Sequence, residues 1–150
     1  MKRTWFEDYA VGETFITPGR TVTEADVGAF AGLTGDYNRL HTDAEYMRTS
    51  IYGERIAHGL LGLSFANGLK YRTDMDPDGV LAFLGLTWSF VAPIRFGDTI
   101  HAVLRVESLR ETSKPDRGVM VQAVELRNQR GEVVQRGEFT MLLRRRPAGG

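Results

Sequence analysis

His58-Gly59-Leu60-Leu61-Gly62-Leu63-Ser64-Phe65-Ala66-Asn67-Gly68-Leu69-Lys70-Tyr71-Arg72 reads as a single helix. Leu60, Leu61, Leu63, Phe65, Ala66 and Leu69 nearly encircle it, which is the pattern of a helix buried inside a fold rather than laid on its surface. Gly59, Gly62 and Gly68 would each weaken an isolated helix by about 1 kcal/mol relative to Ala. Their presence predicts close approach by another backbone, with a sheet as the neighbour.

Upstream of this helix the chain predicts a short extended segment over residues 11–22, broken at Pro18-Gly19. A helix follows, opened by Thr23 and Asp26 at capping-box spacing, faced by Ala25, Val27, Ala29, Phe30 and Leu33, and ended by Gly32 and Gly35. Thr42 and Glu45 repeat the capping spacing ahead of a second short helix through Tyr46 and Met47, and the residues between the two helices read as a loop. Downstream, from residue 80, the period changes to two. Ile100, Ala102, Leu104 and Val106 share one face while His101, Arg105 and Glu107 take the other, and the segment from Val133 to Leu143 alternates likewise. Turn signals at Pro93, Gly97-Asp98, Pro115 to Gly118 and Asn128 to Gly131 separate about four such runs. Helices first and antiparallel strands later predict an α+β class.

The 150 residues, 42% hydrophobic and 25% charged, suit one globular domain over 1–150, with 143–150 expected as a flexible tail. Nineteen basic residues balance nineteen acidic ones, so no global field favours nucleic acid or an anionic membrane. No stretch approaches the roughly 18 apolar residues of a membrane span. The absence of cysteine excludes a disulfide framework and a thiol nucleophile and fits a reducing, cytoplasmic setting.

Two stretches concentrate chemistry. Gly35-Asp36-Tyr37-Asn38-Arg39-Leu40-His41-Thr42-Asp43 holds a carboxylate, an amide and an imidazole within six positions. On a continuous helix Asp36 and His41 would lie roughly 140° apart, so only a bent loop brings them together. An Asp beside a His offers two proton-transfer groups, as addition or removal of water across a double bond requires. The structural alternative has Asp36 and Asn38 making turn hydrogen bonds and His41 sitting satisfied in the core, and on local sequence it weighs more. The second stretch, Tyr52 to Gly62, leads into the buried helix. Its first amides lack internal acceptors and could hold a developing oxyanion, with Gly59 admitting a carbonyl close to the backbone. His58 at this helix start is more often structural than catalytic.

Together the two stretches resemble the MaoC-like hydratase family, which includes the (R)-specific enoyl-CoA hydratases of hot dog fold. The matching residues are Gly35-Asp36, Asn38, Leu40-His41 and Asp43, then Ile56-Ala57-His58-Gly59. The match covers residues 24 to 69, and the later strands fit by pattern only. The resemblance implies a curved antiparallel sheet around a long central helix, working as a dimer or double hot dog. It implies that Asp36 and His41 hold and activate water, that Asn38 helps fix the loop, and that the Gly59 amide binds the thioester carbonyl of a trans-2-enoyl-CoA. The product would be an (R)-3-hydroxyacyl-CoA, with no metal and no redox cofactor, coenzyme A being part of the substrate. Arg39 replaces the Pro common in the family. Ser64 and Asn67 occupy positions where acyl-pocket residues vary, so substrate length does not transfer, and Asn67 joins Asn38 and His58 as a substrate-binding candidate.

Rival motifs fall away on context. Gly62-Leu63-Ser64-Phe65-Ala66 is one residue short of a nucleophile elbow and lies inside a helix instead of after a strand. Asp74 to Gly79 opens like a calcium loop, but Gly85 stands where a bidentate Glu is needed. Within the hot dog fold, the alternatives are a thioesterase, in which Asp36 directs water at the thioester carbonyl, and a non-catalytic acyl-CoA-binding subunit.

Overall fold

A computed structural model describes residues 1–149. Two short strands, β1 (Thr14–Ile16) and β2 (Arg20–Thr21), lead into α1 (Glu24–Thr34). Thr23 caps α1 as expected: its hydroxyl accepts from the Asp26 amide at 3.1 Å while the Asp26 carboxylate accepts from the Thr23 amide at 3.0 Å. Gly35 ends the helix with φ 77°, a left-handed conformation that a residue with a Cβ rarely adopts.

The expected loop after α1 contains a further single turn, α2 (Arg39–Thr42), opened by the Asn38 side chain accepting from the Leu40 amide. The next helix, α3 (Ala44–Met47), is capped by Asp43 rather than Thr42. Thr42 instead donates its hydroxyl back to the carbonyls of Tyr37 and Asn38, closing the turn below it.

The long helix α4 spans Gly59–Leu69 and continues as a tighter turn over Lys70–Arg72. Four long strands follow: β3 (Val80–Phe90), β4 (Thr99–Glu111), β5 (Arg117–Arg127) and β6 (Val133–Arg144). The sheet order is β1-β4-β5-β6-β3, every pairing antiparallel, with β2 added beside β4. The helix-then-strand layout expected from the sequence is therefore observed.

Two hydrophobic clusters hold the layers together. One joins Val27 of α1 and Leu61 and Ala66 of α4 to Ile100, Leu104, Val124, Leu126 and Phe139 of the sheet. The other packs Phe6, Tyr9 and Met75 against Val106, Met120, Met141 and Leu143. Burial of such side chains contributes about 25 cal/mol per Å² of apolar surface removed from water.

Three expectations need correction. Leu60 is 57% exposed and Ser64 and Gly68 are also open, so α4 is sheathed on one side only. Its glycines are not met by backbone: a Cβ at Gly59 would strike the Phe90 ring, one at Gly62 would strike Gln135 and Ile94, and no described residue stands near Gly68. The tail expected from residue 143 starts later. Leu143 is buried in β6, Arg145 pairs with Glu7 and Glu111, and Arg146 pairs with Asp8. Residue 150 lies outside the described residues.

Candidate active site

The bend between α1 and α2 does what a continuous helix could not. One donor atom each from Asp36, His41 and His58 lies within 4.8 Å of the others. The bend is pinned locally: the Asp36 amide donates to Thr34 Oγ1 and the Asp36 carboxylate accepts from the Asn38 amide, both at 3.2 Å. Asn38 thus shapes the loop from both sides, as an amide donor to Asp36 and as the cap of α2.

His41 sits on α2 and is 8% exposed. Its Nδ1 lies 2.8 Å from the Ile56 carbonyl. A carbonyl only accepts, so Nδ1 carries the proton and Nε2 keeps its lone pair free. Burial is the largest influence on this imidazole and pulls its pKa below the ordinary histidine value; the Ile56 carbonyl and Asp36 oppose that pull, and His58 adds to it. A group so placed remains a neutral base at pH values where an ordinary histidine would begin to take a proton.

His58 is 2% exposed and stacks on His41, ring centroids 3.7 Å apart at 27°. Its Nε2 donates to the Asp36 carbonyl at 2.9 Å, and Phe30 of α1 meets its other side edge-on. Its Nδ1 is buried without a partner among the described residues. His58 therefore ties the Asp36 loop to the ring of His41 and to the start of α4, and it faces protein on all sides. A metal ion shared by this trio would need both imidazole lone pairs aimed at one point about 2 Å away. His41 Nδ1 and His58 Nε2 are committed to the Ile56 and Asp36 carbonyls, which leaves one lone pair on each ring.

The residues just before α4 are locked from two directions. The Ile56 amide donates to the Leu40 carbonyl at 3.0 Å and the Ala57 amide to the Ile94 carbonyl at 2.8 Å. The first intrahelical bonds are those of Leu61 and Gly62 to the His58 carbonyl, so the Gly59 amide stands ahead of them at the positive end of the helix. A cavity of about 400 Å³ opens there, lined by His41, Tyr52, Gly59, Leu60, Phe90 and Gln135 among others. Asp36 is exposed beside it. A larger hollow of about 640 Å³ is lined instead by charged residues of the sheet such as Arg105, Glu125 and Arg136, and it contains none of these groups.

Of the residues singled out from the sequence, Asp36, His41 and Gly59 converge on this region, with Asn38 and His58 supporting it. Asn67 is not brought to this end. It lies two turns farther along α4, where its Oδ1 accepts from Lys70 Nζ at 2.6 Å. Sequence reasoning missed Gln135, whose Nε2 donates to the Gly59 carbonyl at 2.9 Å and whose Oε1 accepts from Trp88 Nε1 at 2.9 Å. The signal was present: Gln135 falls in phase with Phe139, Met141 and Leu143, a polar residue on the buried face of a strand.

Residues 7–128 match the MaoC like domain. Protein MaoC of Klebsiella aerogenes is 39% identical over 116 residues, covering 77% of this chain, which spans 33% of that protein's length. An (R)-specific enoyl-CoA hydratase of Rhodospirillum rubrum is 32% identical over 105 residues, 70% of this chain and 71% of the relative. A monoamine oxidase regulatory protein from Archaeoglobus superposes with a TM-score of 0.89 at 36% identity over 98% of both chains. With the antiparallel sheet packed on α4, these matches show a hot dog fold, and the chain belongs to the MaoC-like domain family.

Proposed function

We propose that this protein hydrates trans-2-enoyl-CoA thioesters to (R)-3-hydroxyacyl-CoA, and reverses the reaction, through Asp36 and His41. The observation that carries the reading is a neutral imidazole with a free Nε2, held beside an exposed carboxylate at the mouth of an apolar cavity that ends on the first amide of α4. The relative from Rhodospirillum rubrum supports the reaction class.

In this reading the thioester carbonyl accepts from the Gly59 amide, where the positive end of α4 favours negative charge. Water lies between Asp36 and His41. As its oxygen bonds to Cβ, it gives a proton to the pair, and the electrons of the double bond move toward Cα and the thioester oxygen. The pair then returns one proton to Cα on the same face, which restores its starting state. The elements of water add across the double bond with no electrons supplied or withdrawn, so the reading includes no redox cofactor and no metal, and coenzyme A enters as part of the substrate. A chain without cysteine that acts on such a thioester fits the cytoplasm.

The reading also includes a homodimer. β3 is an edge of the sheet, and Leu81, Phe83, Leu84, Leu86 and Phe90 along it are all exposed. An apolar edge of that length invites a second strand. Sedimentation of the purified chain should give twice the monomer mass.

Loss of the enoyl-thioester absorbance with crotonyl-CoA, without release of free thiol, is the expected result. Thiol release would make the protein a thioesterase. Tight acyl-CoA binding with neither signal would make it a binding subunit. The acidic limb of the rate profile should lie below the ordinary histidine range, because burial lowers the His41 pKa; a limb above it would remove His41 from the role of base.

A further inference from the structure

His58 stands at the N-cap of α4, where Ser, Thr, Asp or Asn usually turns a side-chain oxygen onto the first amides of the helix. Its imidazole makes no such bond. The ring reaches instead to the bend between α1 and α2, donating from Nε2 to the Asp36 carbonyl at 2.9 Å across 22 residues of chain. His58 is 2% exposed and is not among the residues that line the cavity at Gly59. Its side chain thus serves neither its own helix nor the surface that a substrate would touch.

That bond is alone in its reach. Among the described residues, every other hydrogen bond of residues 35–38 runs to a residue between 31 and 42. Local bonds shape a turn, but they do not fix where the turn stands relative to another helix. The two that hold Asp36 itself are 3.2 Å long, at the far end of the usual range. His58 Nδ1 is the second sign. A buried acceptor without a partner is a cost in folding, and a phenylalanine would fill the space between His41 and Phe30 without it. What the imidazole adds over such a ring is the Nε2 donor. The main chain of the same residue starts α4, its carbonyl accepting from the Leu61 and Gly62 amides. One residue therefore joins the Asp36 loop, the His41 ring and the helix end that presents the Gly59 amide.

We infer that His58 is a positioning residue for the hydration: through its hydrogen bond to the Asp36 main chain it sets the separation of Asp36 from His41 and holds both against the start of α4. It touches neither the water nor the thioester. A shift of about 1 Å in a reacting pair can slow a reaction about a hundredfold, so a single bond that fixes the Asp36 loop bears directly on rate. This role rests on the hydratase reading of Asp36 and His41, and it replaces the substrate contact expected of His58.

The test pairs His58→Phe, which keeps a ring against His41 and removes the donor, with His58→Gln, whose amide keeps a donor near the Nε2 position and removes the ring. Thermal melts establish that each is folded at the assay temperature. If His58→Phe does not fold, His58→Met, also without a donor, takes its place. With crotonyl-CoA, kcat should fall by about tenfold or more in His58→Phe while KM stays within about twofold, and His58→Gln should keep about a third or more of the wild-type kcat. A lowered melting temperature with kcat unchanged in both variants would overturn the role. So would an equal loss of kcat in both, which would make the stacked ring the requirement, or a raised KM with kcat unchanged, which would return His58 to substrate contact. Crystal structures of the wild type and His58→Phe read the geometry without activity. The Asp36 carboxylate should move beyond the 4.8 Å that bounds the trio. An unchanged separation would overturn the role even in a chain that hydrates nothing, whereas lack of hydration by the wild type would refute the hydratase reading alone.

Discussion

The two ends of α4 bury polar groups in opposite ways. At the start, His41 and His58 each place one ring nitrogen on a backbone carbonyl, Gln135 bridges the Gly59 carbonyl to Trp88, and the imidazole that is out of water is neutral. At the other end, Lys70 carries a charge into an aromatic cage with only an amide oxygen and a thioether to receive its protons. The first end is fixed in geometry by bonds within the protein, although His58 Nδ1 has no partner among the described residues. The second buries a cation that no carboxylate pairs with among the described residues. A site that holds still is suited to moving protons, whereas an ammonium buried without a counter-ion is a cost in stability.

The contrast is broken most sharply by removing the proton-transfer pair. Asp36→Asn and His41→Ala should each lower turnover of enoyl-CoA by two to four orders of magnitude, the usual contribution of a general acid–base group. The far-ultraviolet circular dichroism should be unchanged, since Asp36 is exposed and neither side chain anchors the main hydrophobic clusters. Near-normal rates in either variant would sink the assignment.

The next largest effect lies at the other end. Lys70 has a pKa of about 8 in the folded chain against an ordinary 10.5, so between those values the unfolded chain binds more protons. Stability should therefore rise as pH rises from about 8 toward 10, by up to roughly 3 kcal/mol in all, with the full cost of the buried charge present below about 8. Urea unfolding from pH 7 to 10 measures this slope, and Lys70→Met should abolish it while being the more stable protein at pH 7. An unchanged slope in Lys70→Met would place the titration elsewhere.

A smaller effect sharpens the description of the first end. Gln135→Leu leaves the Gly59 carbonyl and the Trp88 indole without partners and should cost about 1–3 kcal/mol in denaturant unfolding. In the proposed reaction turnover should fall as well, because Gln135 fixes the residue whose amide would receive the thioester. Loss of stability with full turnover would separate Gln135 from the site. The smallest effect is a control remote from both ends: Thr23→Ala removes the α1 cap and should cost about 1 kcal/mol with no change in the pH slope.

The sequence revealed those parts of the molecule that depend on neighbours in the chain. Thr23, Asp26 and Gly35 bound α1 by contacts within one turn, and the period-two runs after residue 80 became strands because alternation is a local property. The convergence of Asp36 and His41 was legible as the need for a bend, since both lie within six positions. The partners brought from far away were not. Gln135 reaches Gly59 across 76 residues, and Phe90 occupies the space that the missing Gly59 Cβ leaves. Leu60 looked like part of an all-round apolar surface but stands open, because the sheet covers only one side of α4. Asn67 lay on the correct helix but answers to Lys70, a pairing that only burial explains. Nor did an arginine-rich terminus announce that Arg145 and Arg146 would bind acids near residues 7 and 8.

The pairing of β3 with β6 also sets when the site comes into being. The residues from Asp36 to Gly59 leave the ribosome before β6 does, yet the glutamine that seats Gly59 belongs to β6, and among the described residues β3 has no other neighbour in the sheet. Until Val133–Arg144 has been synthesised, the Gly59 carbonyl lacks the side chain that seats it and β3 lacks its partner strand. An interrupted nascent chain would thus carry every reactive side chain and still be inert, so that activity itself certifies that the last strand was made and found its place.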